Sequence, residues 1–428
     1  MKTKITSVLL ALCLLFGTLT LSSCSLFDGK DGIITNTELH DAIREQLDQR
    51  ENLNLNVHYV TINSNSSSSL LSASRALLST VSVYCTFTVR TLTGFGPYRE
   101  WVETESKSAG AGVIYKMSDE DKAAGDAFVI TNYHVVHNAS ASTENSISDK
   151  IELYLYGQEG SEAYAIPATF VGGSMIYDIA ILRVRASDVL RRSNARPAIL
   201  ADSSELSVLE TAIAIGNPEG DGISATVGHV NVDSEYVAMT AVDGVSKVEM
   251  RLIRTDAAVN SGNSGGGLFN DRGELIGIVN AKIASGDVDN IGYAIPSNVA
   301  KYVAENILYY CDGEDCENMY RCLLGVTVKS VGQGTVYDLE TGKVHRTETV
   351  AVGSITKGSL ADGVLLTDDV IHSIKIADKT YEVKRMYDVV DTMINARVGD
   401  VVTLNITRGG ERKTLSITIT ESSLTLYK

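Results

Sequence analysis

From Thr80 to about Pro296 the chain is a succession of short apolar runs, "VSVYCTFTV", "AGVIY", "AFVITNYHVV", "IELYLY", "IAILRV" and "TAIAIG", each closed by glycine, asparagine or aspartate. Runs of this length, rich in β-branched and aromatic residues and bounded by turn formers, predict strands. Many such strands in succession predict a barrel or a sandwich. Upstream the pattern is different. Val8 to Phe16 is one unbroken apolar run behind Lys2 and Lys4, too short to span a bilayer comfortably and placed as an export signal over residues 1–23. In "NTELHDAIREQLDQREN" Leu39, Ile43 and Leu47 share one face of a predicted helix with Asn36 or Thr37 as its cap. "NSNSSSSLLSAS" has no periodicity and reads as linker, so residues 24–75 form a tether and the first large domain opens at 76.

With 428 residues, 44% of them hydrophobic, the chain can bury large cores and is long for one domain. A formal charge of -16 repels phosphate backbones and argues against nucleic-acid binding. Cysteines are few: Cys85, Cys311, Cys316 and Cys322 remain beyond the signal and Cys24. None of their spacings is Cys-x-x-Cys, so no metal site is predicted, and no cofactor motif is present. "YYCDGEDCENMYRC" reads as an acidic interdomain linker over 306–321. In an exported protein it accommodates a disulfide, with Cys311–Cys316 and Cys316–Cys322 equally open.

The chemistry concentrates in "DAAVNSGNSGGGLFNDRGELIGIVNA", where Ser264 follows Asn263 and precedes three glycines. Serine and glycine also cluster in plain turns. Likewise His134 at the end of one apolar strand and Asp178 at the start of another have ordinary hydrogen-bonding readings when taken singly. Together, His134, Asp178 and Ser264 stand in one all-β region in the order of the chymotrypsin-type triad. "TNYHVV", "YDIAIL", "AIGNP", "TDAAVNSGNSGG" and "IGYAIPSNVA" then resemble, in order, the signature segments of the HtrA family of trypsin-fold serine proteases across most of residues 80–300. The resemblance implies a mainly β chain: a chymotrypsin-like double β-barrel protease over 76–305, followed by a PDZ domain over 322–424. One departure is Gly267, where the family commonly has proline, and added loop flexibility is expected there.

The resemblance assigns Ser264 as nucleophile, His134 as general base and acid, and Asp178 as the group that holds the imidazole. Gly262 is free to adopt backbone angles that bring its N–H and that of Ser264 onto a developing oxyanion, with Asn263 shaping the loop between them; such donors are worth about 3 kcal/mol each. His137 matches no family position. Ala258, the residue expected to floor the primary specificity pocket, carries no charge and favours small or medium aliphatic side chains, with Lys282 on the following strand as a further influence. "CLLGVTV" is similar to a PDZ carboxylate-binding loop and strand, which implies that Leu324, Gly325 and Val326 hold a peptide's C-terminus. Asp368 stands where PDZ domains usually have glycine, and "YDLETGKVHR" reads as an inserted hairpin turning at Thr341-Gly342.

Leu21-Ser22-Ser23-Cys24 resembles a bacterial lipobox, implying lipid attachment at Cys24 and a membrane-tethered, extracytoplasmic protein of the bacterial envelope. Expected partners are unfolded polypeptides, C-terminal peptides and the membrane, and the resemblance suggests trimers. The competing reading is a catalytically silent, peptide-binding quality-control scaffold.

Overall fold

The computed structural model describes residues 74–95, 98–143, 145–283, 291–311 and 319–427. The export signal with Cys24, the helix expected from Asn36 and the serine-rich linker lie outside them. Six strands, β1 (Thr80–Thr93), β2 (Glu100–Lys116), β3 (Ala127–Thr131), β4 (Lys150–Leu155), β5 (Ile166–Ser174) and β6 (Ile179–Val184), close into one barrel. A second barrel closes from β7 (Thr211–Gly216), β8 (Ser224–Thr240), β9 (Lys247–Thr255), β10 (Gly267–Phe269), β11 (Leu275–Val279) and β12 (Gly292–Pro296). The mainly β, double-barrel fold is as expected.

The strand patterns explain the cores. In β1 every second residue from Val81 to Phe87 enters the first barrel's core and is at most 2% exposed. β7 has no polar face. Its Ile213 and Ile215 pack between the barrels with Ile130, Ile179 and Phe269, while Ala212 and Ala214 pack with Val230, Ile253 and Ile276. Burial on both faces accounts for the unbroken apolar run. The helix Ser297–Tyr310 presents Val299, Val303 and Ile307 to the same inter-barrel cluster.

That helix corrects the expected linker. Residues 306–310 are helical, and Met319–Cys322 is already a strand, β13, paired with a final strand at Leu424–Tyr427. Buried Asn306 ties the joint together: its side chain donates to the Ile394 carbonyl at 3.0 Å and accepts from the Tyr320 N–H at 3.2 Å. The disulfide question is also narrowed. Cys311 is in a disulfide whose partner lies outside the described residues, whereas Cys322 is a free, buried thiol, so the Cys316–Cys322 pairing is excluded. Burial pushes Cys322 up to about 11 and the equally free Cys85 up to about 12.

The C-terminal sheet runs β14 (Val326–Tyr337), β15 (Val344–Ile355), β16 (Val370–Ile376), β18 (Val401–Arg408) and β19 (Glu411–Thr418), with β17 (Lys379–Glu382) paired to β16. The inserted hairpin turns between β14 and β15, where the Asp338 carboxylate accepts from the Glu340 N–H at 2.8 Å and Gly342 has φ +69°. Asp368 holds φ +71° and pairs with Lys329 at 2.6 Å. The hairpin reaches the second barrel, since Ser207 donates to the Val344 carbonyl at 2.8 Å and Lys343 pairs with Glu210 at 2.8 Å. The helix Met386–Thr392 is fastened there more firmly. Arg251 of β9 lies 2.7 Å from Asp391 and stacks its guanidinium 4.1 Å from the Tyr387 ring centroid, and Arg385 lies 2.8 Å from Asp233. Arg251 and Asp391 are each only 8% exposed. Removing one partner of such a pair strands the other in a poorly solvated site. Arg251→Met is therefore expected to destabilise the protein by about 3–5 kcal/mol, and Arg251→Met with Asp391→Leu to recover most of that loss, as read from urea unfolding midpoints.

Candidate active site

β3 ends at Thr131 and the chain turns at once into the one-turn helix Tyr133–Val136. His134 thus sits on a helical turn just beyond the strand, and not at the strand's end as the apolar pattern had suggested. The turn is set by tertiary contacts: the Asn132 side chain donates to the Asp178 carbonyl at 2.8 Å, and the Tyr133 ring meets Phe170 edge-on at 5.8 Å. Gly173 makes room, since a Cβ there would stand 2.5 Å from the Tyr133 ring.

Asp178 immediately precedes β6, is 1% exposed and holds φ +51°, a left-handed conformation rare for a residue with a side chain. Its carboxylate accepts three hydrogen bonds: from the His134 N–H at 2.9 Å, from His134 Nδ1 at 2.6 Å and from Asn280 Nδ2 at 2.9 Å. Facing a carboxylate, Nδ1 is the donor, which leaves Nε2 available for proton transfer. Asn280 follows β11 in the second barrel, so both barrels hold the acid. Asn280 was not singled out from the sequence, where one asparagine at a strand end carries no distinguishing signal.

Ser264 lies in the loop before β10 and is 5% exposed. The Ala111 N–H of the first barrel donates to its carbonyl at 2.9 Å, and Thr131 Oγ1 donates to the Ala111 carbonyl at 2.7 Å. The glycines permit this approach: at Gly265, φ +83°, a Cβ would stand 2.2 Å from the Ala111 oxygen. Gly262 has φ +93°, and a Cβ there would meet the Asn217 carbonyl at 2.2 Å. Among the described residues the N–H groups of Gly262 and Ser264 have no acceptor, while Asn263 between them donates from its backbone to the Asn260 carbonyl at 3.0 Å. The Ser264 hydroxyl accepts from the Ala281 N–H at 3.1 Å, and no hydrogen bond joins it to His134.

The remaining positions fall as follows. His137 caps the one-turn helix beside Tyr133, and burial and then the charge of Lys282 lower its pKa. Lys282 itself lies on the 3₁₀ turn Ala281–Ile283, exposed, and not on a strand. Ala258 is exposed and its carbonyl accepts from Thr226 Oγ1 at 2.9 Å. Gly267 is not a flexible loop residue. It is buried as the first residue of β10, and a Cβ would stand 2.2 Å from the Phe269 ring, so the ring occupies the space a larger residue would need. Leu324 is buried, Gly325 has φ +76°, and Val326 opens β14, an edge strand of its sheet. No cluster of His, Cys, Asp or Glu among the described residues is arranged to hold a metal ion.

Residues 110–278, which include His134, Asp178 and Ser264, match the trypsin-like peptidase domain family. Over 326 residues the chain is 32% identical to the serine protease Do-like HtrA of Lactococcus lactis subsp. cremoris (strain MG1363), covering 74% of this chain and 72% of that protein. The chain belongs to the HtrA family of serine proteases. It is 34% identical over 325 residues to the serine protease Do-like HtrA of Bacillus subtilis (strain 168), of whose length it spans 64%. Among solved structures, the HtrA-type protease AlgW with decapeptide is 24% identical, covers 83% of this chain and 98% of its own, and has a TM-score of 0.49.

In this HtrA-family chain the tight seat of Gly262 gives a direct prediction. Gly262→Ala forces its amide to move and, if that amide is an oxyanion donor, is expected to lower kcat on a peptide substrate about 10²-fold. Gly244→Ala, at φ +73° with open space around it, is expected to leave kcat unchanged. Steady-state kinetics on the two variants check both statements.

Proposed function

We propose that the chain is an envelope serine endopeptidase that cleaves unfolded polypeptides through an acyl-enzyme. The observation that supports this reading best is the His134–Asp178 pair, at 2.6 Å and shared between the barrels, beside the glycine loop of Ser264. Ser264 turns its hydroxyl from the Ala281 N–H towards His134 Nε2, gives up its proton and attacks the scissile carbonyl. The free N–H groups of Gly262 and Ser264 receive the negative charge on oxygen. His134 then passes the proton to the leaving amine, and water repeats the sequence to release the acyl group. Asp178 keeps the imidazole oriented throughout.

The exposed, uncharged Ala258 favours a small aliphatic side chain before the scissile bond. The C-terminal unit acts as a PDZ domain, in which a peptide lies along the open edge of β14 and its terminal carboxylate is held by the backbone of Leu324, Gly325 and Val326. Cys24 carries lipid and tethers the enzyme to a membrane. The hydrogen bond from Ala281 to the Ser264 hydroxyl favours the second reading, a silent peptide-binding scaffold, because it describes a nucleophile not engaged with its base.

Ser264→Ala and His134→Ala separate the two. Each is expected to cut hydrolysis of an unfolded casein-type substrate by at least about 10³-fold, and the double variant to be barely worse than either alone, because triad members act as a unit. Wild-type turnover in Ser264→Ala would mean that the serine mechanism is wrong. For the anchor, Cys24→Ala is expected to move the protein out of the salt-washed membrane fraction, measured by immunoblot of separated fractions.

A further inference from the structure

A cleft of about 480 Å³ opens on the first-barrel side of Ser264. One wall is β2 at Lys107 and Ser108. Ser108 donates to the Val135 carbonyl at 2.7 Å, beside His134, and three residues on Ala111 holds the Ser264 carbonyl. The facing wall is Gly220 and Asp221, on a turn that backs directly onto the oxyanion loop. There the Glu219 N–H donates to the Ser261 carbonyl at 3.0 Å and the Asn217 N–H to the Gly262 carbonyl at 3.2 Å. Tyr84 pins that turn by donating to the Gly220 carbonyl at 2.8 Å. The cleft therefore lies between the two segments that position Ser264, Gly262 and His134, and Ala258 belongs to neither.

Its lining has a definite chemistry. Tyr84 and Tyr154 pack edge-to-face, ring centroids 5.5 Å apart, and provide an aromatic surface. Around it stand three carboxylates, Glu152, Glu159 and Asp221, and one cation, Lys107; Glu152 is already paired with Lys150 at 2.8 Å, so Glu159 and Asp221 are the two that matter. Glu159 uses Oε1 to accept from Ser82 at 3.2 Å and from the Ile223 N–H at 3.1 Å, which fixes the side chain and leaves Oε2 without a partner among the described residues. The exposed Asp221 carboxylate likewise has no partner there. An aromatic surface beneath unspent carboxylates suits a side chain with an apolar stem and a cationic head.

We propose that this cleft is the subsite for the leaving-group side of the substrate and selects lysine or arginine within the first three residues after the scissile bond. The inference rests on the endopeptidase reading above. His134 must face the leaving amine in order to protonate it, so the residues beyond that amine depart past Val135 and Ser108, into the cleft. At about 3.3 Å per extended residue, the first three residues reach about 10 Å beyond the scissile bond, in the direction of the cleft. Cleavage then favours a small aliphatic residue before the bond together with a basic residue shortly after it.

The test uses quenched fluorescent peptides with valine before the scissile bond and identical sequences except for lysine, glutamine or glutamate at the second and third positions after it. With the wild-type chain, kcat/KM is expected to fall in the order lysine, glutamine, glutamate, with lysine over glutamate by about 10-fold at low salt and less at high salt, since exposed charges are screened. The lysine-to-glutamate ratio is expected to drop towards one in Asp221→Asn and in Glu159→Gln, and to invert in Asp221→Lys. Asp221 is exposed, so its variants stay informative even where Glu159→Gln disturbs folding. Equal cleavage of the three peptides by the wild type, or a lysine preference that survives Asp221→Lys, overturns the subsite and leaves the proteolytic reading intact. Cleavage of none of them overturns that reading, and the subsite with it.

Discussion

A carboxylate buried to 1% exposure cannot be left without donors, and the burial of Asp178 is the constraint from which the rest of the site follows. Its three donors come from both barrels: His134 supplies two from the first and Asn280 supplies one from the second. Satisfying Asp178 therefore requires the barrels to meet in one orientation. That orientation brings the Ala111 N–H onto the Ser264 carbonyl and demands glycine at 265, where no side chain fits. The strained φ of Asp178 is supported by Asn132, whose side chain holds the Asp178 carbonyl from the neighbouring strand end. Strain, burial and barrel orientation are one linked arrangement.

The same economy of contacts joins the C-terminal sheet to the second barrel. Arg251 reaches out of β9, pairs with Asp391 and lies against Tyr387, so the helix Met386–Thr392 is fastened to a strand of the barrel that also carries the Ser264 loop. The inserted hairpin adds a second fastening at Ser207 and Glu210. An orientation set by buried ion pairs and by a hairpin at a separate place is harder to vary than one set by a flexible linker alone. The edge of β14 and the loop of Ser264 are thereby linked through contacts made with the second barrel.

Where local pattern and tertiary demand agree, the sequence was legible. The runs from "VSVYCTFTV" to "TAIAIG" are strands because alternation or continuous apolarity already states how many faces are buried. The order His134, Asp178, Ser264 was legible for a different reason, since a triad needs specific side-chain types whatever the fold. Asn280 was not legible, because its role exists only when β11 of one barrel stands beside β6 of the other. The helical placement of His134 was hidden by the apolar run around it, which fits a strand equally well. The stretch that reads as a linker over 306–321 is helix at one end and strand at the other, because Asn306 and the inter-barrel core hold the helix through the apolar residues up to Tyr310, before the acidic run begins at Asp312.

What the sequence determined by itself was therefore the kind of element and the candidate chemistry: β-strands from periodicity, a candidate nucleophile, base and acid from residue type and order, and glycine wherever backbone had to pass close to backbone. Tertiary structure alone decided which donor each buried acceptor receives. It placed the hydroxyl of Ser264 on the Ala281 N–H, assembled the cleft at Tyr84 and Asp221 from segments far apart in the chain, and left Cys322 a free thiol. The reason is physical. Periodicity and propensity act over a few neighbouring residues, whereas a buried polar group is satisfied by whatever folding brings within about 3 Å, at any separation along the chain.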